Sequence, residues 1–171
     1  MKLSYFPGCT MKNHARNFED SVHFALGHIG YELEEIDRWN CCGTVASLAT
    51  DDVMRQLAPV RNLLRAKEAG AAKLMTACSM CYSTLKRGNE RARANPDELA
   101  RMNSFMYDEK TDYEGDVDVI HVLEVLREGK DGLKGLKAKV LKPLKGLKVA
   151  SYYGCALVRP RQIAFDDTEN P

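Results

Sequence analysis

Six cysteines are the residues of this chain whose type and spacing indicate chemistry: Cys9, Cys41, Cys42, Cys78, Cys81 and Cys155. The first five follow the pattern C-x31-C-C-x35-C-x-x-C, and the sixth stands alone near the end. In a reducing cytoplasm clustered thiols do not persist as disulfides, and they more often ligate a metal. The spacing therefore predicts a thiolate-bound metal centre on the first five cysteines.

The number of thiols bears on which metal they hold. A structural zinc site closes with four ligands, and the side chains of two adjacent cysteines diverge too far to reach one such ion easily. Iron–sulfur clusters are held by cysteine thiolates, and a fifth thiolate suggests a cluster opened beyond the four-cysteine cubane. Three alternatives stay open: zinc on four of the thiols, a thioredoxin-like dithiol at Cys78 and Cys81, and buried structural thiols.

The elements that must position the thiols alternate between strand and helix. Apolar runs predict strands at residues 3–6, 31–36, 73–77 and 117–120. Helical periodicity and capping residues predict helices at residues 13–29, 50–70 and 79–91, from residue 95 onward, and at 121–128. For the helix near residue 50 the start signal is Thr50 with Asp51 and Asp52, and for the one near residue 95 it is Asn95 followed by Pro96.

This alternation predicts an α/β, Rossmann-like, mostly parallel sheet with flanking helices. Ligands of such sheets bind at the carboxyl ends of the strands. Cys9, the Cys41-Cys42 pair and Cys78 all follow predicted strands directly or after a short loop. We therefore expect one shared cluster site at that edge.

The chain contains an internal repeat. Ser4-Tyr5-Phe6-Pro7-Gly8-Cys9 returns as Ser151-Tyr152-Tyr153-Gly154-Cys155 with the proline deleted. We predict a first domain at residues 1–129, a lysine-rich linker at 130–146, and the start of a second, incomplete domain at 147–171. The chain is accordingly expected to be cut short within the second domain.

The five-cysteine pattern with Cys41-Cys42-Gly43 at its centre resembles the cysteine-rich CCG domain family, as found in the B subunit of heterodisulfide reductase. The resemblance implies that Cys9, Cys41, Cys42, Cys78 and Cys81 bind a non-cubane [4Fe-4S] cluster. It also implies that Cys155 is the first ligand of a second, incomplete site, and that no catalytic residue exists beyond the cluster ligands. Gly8 and Gly43 would let the backbone approach the cluster, and Thr44 and Ser79 would donate hydrogen bonds to its sulfides.

The family resemblance implies two-electron reduction of a small-molecule disulfide, coenzyme M–S–S–coenzyme B in methanogens or an analogue. Partners would resemble two other components of heterodisulfide reductase, its iron–sulfur C subunit and its flavoprotein A subunit. One alternative is an electron-transfer protein like those of glycolate, lactate, glycerol-3-phosphate or succinate oxidation. Another is a zinc-binding interaction domain.

Composition and charge argue against several other classes of protein. Hydrophobic residues make up 44% and charged residues 29% of the chain, and the net charge is +1, which argues against a nucleic-acid partner. Apolar runs are too short to span a bilayer and the first residues do not resemble a leader, so we expect a cytoplasmic protein without membrane insertion. Trp39 is expected to pack the Cys41 loop, and His14 is a candidate proton source near Cys9.

Overall fold

Four short parallel strands form the centre of the computed structural model, which describes residues 1–44, 53–129 and 131–165. The strands are β1 (Lys2–Tyr5), β2 (Glu32–Glu35), β3 (Lys73–Thr76) and β4 (Asp118–His121). Their order in the sheet is β2-β1-β3-β4, and every neighbouring pair is parallel. The predicted α/β, Rossmann-like fold is thus confirmed.

Eight α-helices are found among the described residues: α1 (Gly8–Asn13), α2 (Arg16–His28), α3 (Leu57–Glu68), α4 (Ser79–Ala94), α5 (Pro96–Ser104), α6 (Val122–Glu128), α7 (Gly132–Ala138) and α8 (Cys155–Val158). Short 3-10 turns lie at Val53–Gln56 and Arg161–Ile163. No helix in the described ranges is both long and apolar enough to cross a membrane.

Helices cover both faces of the sheet, because successive strand residues point to opposite sides. Tyr5 packs with α2 and α6 on one face, whereas Phe6 packs with α3 and α4 on the other. Leu74 and Met75 of β3 divide between the two faces in the same way. All four side chains are fully buried, which explains why these strands read as continuous apolar runs.

Several predicted boundaries differ from the structure. The helix expected at residues 13–29 is two helices, and the first begins at Gly8, so Cys9 lies inside a helical turn. Asn95 precedes α5 as predicted, but its side chain makes no N-cap bond and donates back to the Arg91 carbonyl at 3.0 Å. The helix start predicted at Thr50, Asp51 and Asp52 lies outside the described residues.

The lysine-rich segment contains a helix, and the second copy of the repeated motif lacks a preceding strand. Residues 132–138 of the expected linker form α7, which contacts α6. Residues 147–154 form no strand, whereas the first copy of the motif follows β1. After them Leu157 of α8 is buried in the same core cluster as α3 and α4, and its carbonyl accepts the Phe165 N–H at 2.9 Å. The proposed domain division stays a prediction.

Candidate functional site

The five predicted thiols come from three chain segments that meet at the carboxyl edge of the sheet. Cys9 lies in α1 directly after β1, Cys78 precedes α4 directly after β3, and Cys41-Cys42 lies on the loop after β2. β1 and β3 are neighbours in the sheet, but the chain leaves β1 for one face and β3 for the other. Such a switch point opens a crevice where α/β sheets bind ligands.

The thiols in this crevice form a connected set. The Cys9 and Cys41 sulfurs are 3.9 Å apart, and those of Cys42 and Cys81 are 3.6 Å apart. Cys78 is near enough to Cys81 for a thiol–thiol hydrogen bond. The adjacent Cys41 and Cys42 thus point to different partners, and the peptide bond between them joins the two pairs.

The set has a buried side and an open side. Cys42 is 2% exposed and Cys81 is 5% exposed, and Cys78 is partly buried. Cys9 and Cys41 are exposed. A group held by all five thiols would be anchored in the protein on one side and accessible from solvent on the other.

Hydrogen bonding among the inner thiols favours the thiolate form of Cys42 and Cys78. A hydrogen bond from Cys81 lowers the pKa of Cys42 to about 6, against the opposing effect of burial and with help from Thr44. A hydrogen bond from Cys81 likewise lowers the pKa of Cys78 to about 6. The pKa of Cys81 itself is raised, because it donates to Cys42 and Cys78 and is buried. Thiolates are the form that binds metals.

Gly8 explains how the segments approach so closely. Its φ is +74°, a conformation that costs an L-residue energy, and a Cβ built there would lie 2.7 Å from the Cys81 sulfur. Gly43, the residue after the cysteine pair, also has a positive φ, and its Cβ would lie 3.2 Å from that of Ala58. Gly8 therefore lets the backbone lie against the Cys81 sulfur, and the approach of both glycines to the cluster stays a prediction.

A chain of hydroxyl groups supports Cys42. Thr44 Oγ1 is 3.0 Å from the Cys42 sulfur and 3.1 Å from Thr84 Oγ1, which donates to the Met80 carbonyl at 2.8 Å. Thr44 and Ser79 were predicted to donate to the sulfides of the cluster, and that stays a prediction. Ser79 donates no hydrogen bond to a thiol within the described parts of the chain. Sequence reasoning missed Thr84, although its position three residues after Cys81 places both on one side of α4.

Two further polar residues went unnoticed in the sequence. Asn62 is fully buried on α3 among apolar neighbours, and Arg65 lies one turn later. Both bond the loop that carries Cys41 and Cys42. The sequence did offer a signal for Asn62, because it is a polar residue among the apolar residues of α3. A buried amide usually has hydrogen-bond partners, so such a residue indicates a specific contact.

The remaining candidates make no hydrogen bond to the five thiols within the described residues. Cys155 is exposed and lines a cavity of about 210 Å³ together with Met80, Thr84 and Arg87. No contact from Cys155 to another thiol exists in residues 1–44, 53–129 and 131–165. His14 is exposed at the end of α1. Trp39 packs edge-on against Phe6, as expected of a residue that packs the loop.

The donor set consists of sulfur atoms, the ligands that hold iron–sulfur groups. Nowhere in the described residues do three or more His, Cys, Asp or Glu side chains converge on the geometry of one metal ion. Instead, sulfur atoms occur in two close pairs with a third neighbour, and sulfur ligands suit iron–sulfur chemistry. At Gly8 the backbone lies against one of these sulfurs, that of Cys81, without an intervening Cβ.

Comparison with known proteins gives a family and several relatives. The model of the CCG cysteine-rich domain matches residues 3–86. The chain is 34% identical over 99% of its length to an 8-methylmenaquinol:fumarate reductase membrane anchor subunit of Wolinella succinogenes, covering 58% of that protein. It is 29% identical over 99% of its length to the B subunit of a ferredoxin/F420H2-dependent CoB-CoM heterodisulfide reductase of Methanosarcina acetivorans, covering 56% of that protein.

A third relative, from Archaeoglobus profundus, is named as similar to the B subunit of heterodisulfide reductase, with 30% identity over 100% of this chain and 57% of that protein. The chain therefore spans a little over half the length of these curated relatives. Among solved structures, a hypothetical protein from Helicobacter pylori superposes with a TM-score of 0.62 at 18% identity, over 74% of this chain and 25% of that one. At that identity the likeness shows the fold alone.

Proposed function

Residues 3–86 belong to the CCG cysteine-rich domain family, and on that premise we propose that the chain is the cluster-binding part of an oxidoreductase subunit. Its five thiols, Cys9, Cys41, Cys42, Cys78 and Cys81, hold a non-cubane [4Fe-4S] cluster. When bound, the cluster supplies one-electron redox steps. The protein passes electrons within a complex.

The observation that carries this proposal is the convergence of five thiols from three segments at the switch point of the sheet. The Cys42–Cys81 contact of 3.6 Å and the Cys9–Cys41 contact of 3.9 Å lie on either side of one peptide bond. Cys42 and Cys81 fix the buried side, and the backbone at Gly8 lies directly against the Cys81 sulfur. Zinc on four thiols would leave one member of this set without a role.

The reaction we propose is two-electron reduction of a small-molecule disulfide, either coenzyme M–S–S–coenzyme B or an analogue. Two of the relatives carry heterodisulfide reductase in their names. The exposed side formed by Cys9 and Cys41 is where a sulfur substrate would approach. Electrons would arrive from a protein resembling the iron–sulfur C subunit of heterodisulfide reductase, fed by one resembling its flavoprotein A subunit.

The second candidate is electron transfer without disulfide chemistry. It is supported by the 34% identity to the Wolinella succinogenes protein, whose name gives 8-methylmenaquinol and fumarate as the reactants of its complex. Under this alternative the same thiols hold the cluster, and no thiol-derived substrate binds to it.

The first experiment measures iron, acid-labile sulfide and zinc in anaerobically purified protein, together with the EPR spectrum of its oxidised form. About four irons and four sulfides per chain, the content of a [4Fe-4S] cluster, with an EPR-active oxidised cluster would support the proposal. One zinc without sulfide would contradict it and favour an interaction domain.

A second experiment separates the two candidates. A small thiol and its methyl thioether are titrated separately into the oxidised protein while the EPR spectrum is recorded. A spectrum shifted by the thiol and unchanged by the thioether supports disulfide chemistry, because only the thiol can become an anionic sulfur ligand. A spectrum unchanged by both favours the electron-transfer candidate.

A further inference from the structure

The loop that carries Cys41 and Cys42 has no regular secondary structure, yet it must aim two adjacent thiols at different partners. Residues 36–43 follow β2 without helix or strand, and Arg38 within them has a φ of +55°. A non-glycine residue in this conformation needs support from its surroundings. That support comes from α3 and from the acidic loop after α5.

The inner support is an amide clasp between two asparagines. The Asn40 N–H donates to Asn62 Oδ1 at 2.9 Å, and Asn62 Nδ2 donates to the Asn40 carbonyl at 3.0 Å. Asn62 Nδ2 also donates to the Ala58 carbonyl at 3.0 Å, which ties the clasp to α3. Because Asn62 is fully buried, water cannot replace these bonds. Both the N–H and the carbonyl of Asn40, directly before Cys41, are therefore hydrogen-bonded, as in a residue paired within a sheet.

The outer support is an ionic clasp around Glu109. One terminal nitrogen of Arg65, Nη1, donates to the Arg38 carbonyl and also to Asn40 Oδ1, the latter at 3.1 Å. The other two nitrogens, Nη2 and Nε, donate to Glu109 Oε1 at 2.8 and 3.1 Å. The Arg38 guanidinium pairs with Glu109 at 3.0 Å and with Glu68 at 2.7 Å. Only 2% of the Glu109 side chain is exposed. Charge-assisted bonds of this kind hold the positive-φ turn in place.

We infer that Asn62 and Arg65 are positioning residues that divide the adjacent thiols, directing Cys41 to Cys9 and Cys42 to Cys81. The inference rests on the proposed function, since the thiols matter as ligands of the cluster. It goes beyond the family match, because Glu109, which anchors Arg65, lies outside residues 3–86.

The test compares Asn62→Leu with a matched control, Asn89→Leu. Asn89 is also buried, at 1% exposure, and its amide bonds the Val117 carbonyl and the Tyr113 hydroxyl, both at 2.7 Å. Each substitution removes a buried amide and leaves partners unsatisfied. Only Asn62 touches the cysteine loop, so a general loss of stability affects both variants and a positioning effect only one.

The decisive readout uses the metal-free chain and does not depend on a bound cluster. Anaerobically prepared apoprotein is oxidised briefly with diamide, and the disulfide partner of Cys9 is identified by peptide fragmentation. We expect Cys9–Cys41 to dominate in the unmodified chain and in Asn89→Leu. In Asn62→Leu this pairing falls several-fold and Cys9–Cys42 rises. An unchanged pairing in Asn62→Leu, or equal scrambling in both variants, overturns the inference.

The second readout is iron binding and the EPR spectrum after reconstitution. Asn62→Leu is expected to weaken iron binding by about ten-fold and to change the spectrum, as loss of supporting bonds around a metal site does. Asn89→Leu is expected to retain both. If the unmodified chain binds no iron, the proposed function fails, whereas the disulfide mapping still decides the positioning role.

Arg65→Lys covers the case in which Asn62→Leu does not fold. A lysine keeps a positive charge beside Glu109 but lacks the planar fork that reaches Arg38, Asn40 and Glu109 together. We expect a smaller fall in Cys9–Cys41 pairing than in Asn62→Leu, with thermal stability near that of the unmodified chain. If Cys9–Cys41 pairing in Arg65→Lys equals that of the unmodified chain, Arg65 is not a positioning residue.

Discussion

The two copies of the repeated motif, which end in Gly8-Cys9 and Gly154-Cys155, have similar φ values at the glycine but different surroundings. Gly8 and Gly154 have φ values of +74° and +71°, and each cysteine that follows lies in the first turn of a short helix. Cys9 meets Cys41 at the end of a strand, whereas Cys155 follows backbone without a strand and meets no thiol among the described residues. The motif sets the turn, and the neighbouring strands make the site.

The largest expected difference between the two regions is in cluster binding. Cys42→Ser removes a buried thiol that contacts Cys81, so we expect the chain to lose its cluster, while Cys155→Ser retains it. Iron and sulfide per chain after anaerobic reconstitution give the comparison. Full iron content in Cys42→Ser would contradict the five-thiol site. Loss of iron in Cys155→Ser would mean that Cys155 also takes part in binding the cluster.

The two motif glycines give the next comparison. Gly8→Ala and Gly154→Ala both place an L-residue at positive φ, at a cost of about 1–2 kcal/mol. Only the Gly8 Cβ meets an atom, the Cys81 sulfur at 2.7 Å, while Gly154 has nothing within 4 Å. Overpacking adds about 1–3 kcal/mol at Gly8. Urea denaturation of the apo forms measures the free energy of unfolding that each substitution loses. Equal losses would mean that the Cys81 sulfur moves aside for the Gly8→Ala methyl group at no cost in free energy.

His121 links the two regions and predicts a pH dependence. Its Nε2 bonds the Ala77 carbonyl at 3.2 Å, its Nδ1 accepts the Leu123 N–H at 3.3 Å, and its ring lies edge-on to Phe165. Burial lowers the pKa of His121 from 6.5 to about 4, against the effect of the Ala77 bond. The fold therefore favours neutral His121.

The stability that neutral His121 contributes is fully present above about pH 6.5, the ordinary pKa of histidine. It is lost as the pH falls toward 4, and amounts to about 3 kcal/mol in total. Urea unfolding of the apoprotein at pH 7, 6, 5 and 4 measures it. In His121→Asn, which retains a capping residue and Glu124, the slope should flatten between pH 6.5 and 4. An equal slope in the unmodified chain and in His121→Asn would refute the assignment.

The smallest expected effect concerns Thr84, which lies between the five thiols and the cavity beside Cys155. Thr84→Val removes a hydroxyl that bonds Thr44 and the Met80 carbonyl but keeps the shape of the side chain. We expect a loss of about 1 kcal/mol, retained iron and a small shift in the reduction potential of the cluster. Redox titration followed by EPR checks this, and loss of iron would make Thr84 part of the site itself.

Sequence periodicity was sufficient for the architecture. Strand β3 and the turn at Cys78 follow directly from an apolar run that ends in C-x-x-C. The start of α1 at Gly8 was missed, because a six-residue helix has too few positions to show periodicity. The helix in the lysine-rich segment was missed as well, since Gly132 and Gly135 are typical of loops, and the contact of α7 with α6 offsets their low helix propensity.

The sequence alone determined the thiols, their spacing and the parallel sheet that gathers them, because alternating strands and helices form such sheets and their ligands lie at the carboxyl ends of the strands. The supporting residues were decided only by tertiary structure. Asn62 lies 22 residues from Asn40, and Glu109 lies 44 residues from Arg65. Hydrogen bonds across such separations depend on how helices and loops pack, and no local pattern records that packing. The direction in which each of two adjacent cysteines points was decided in the same way.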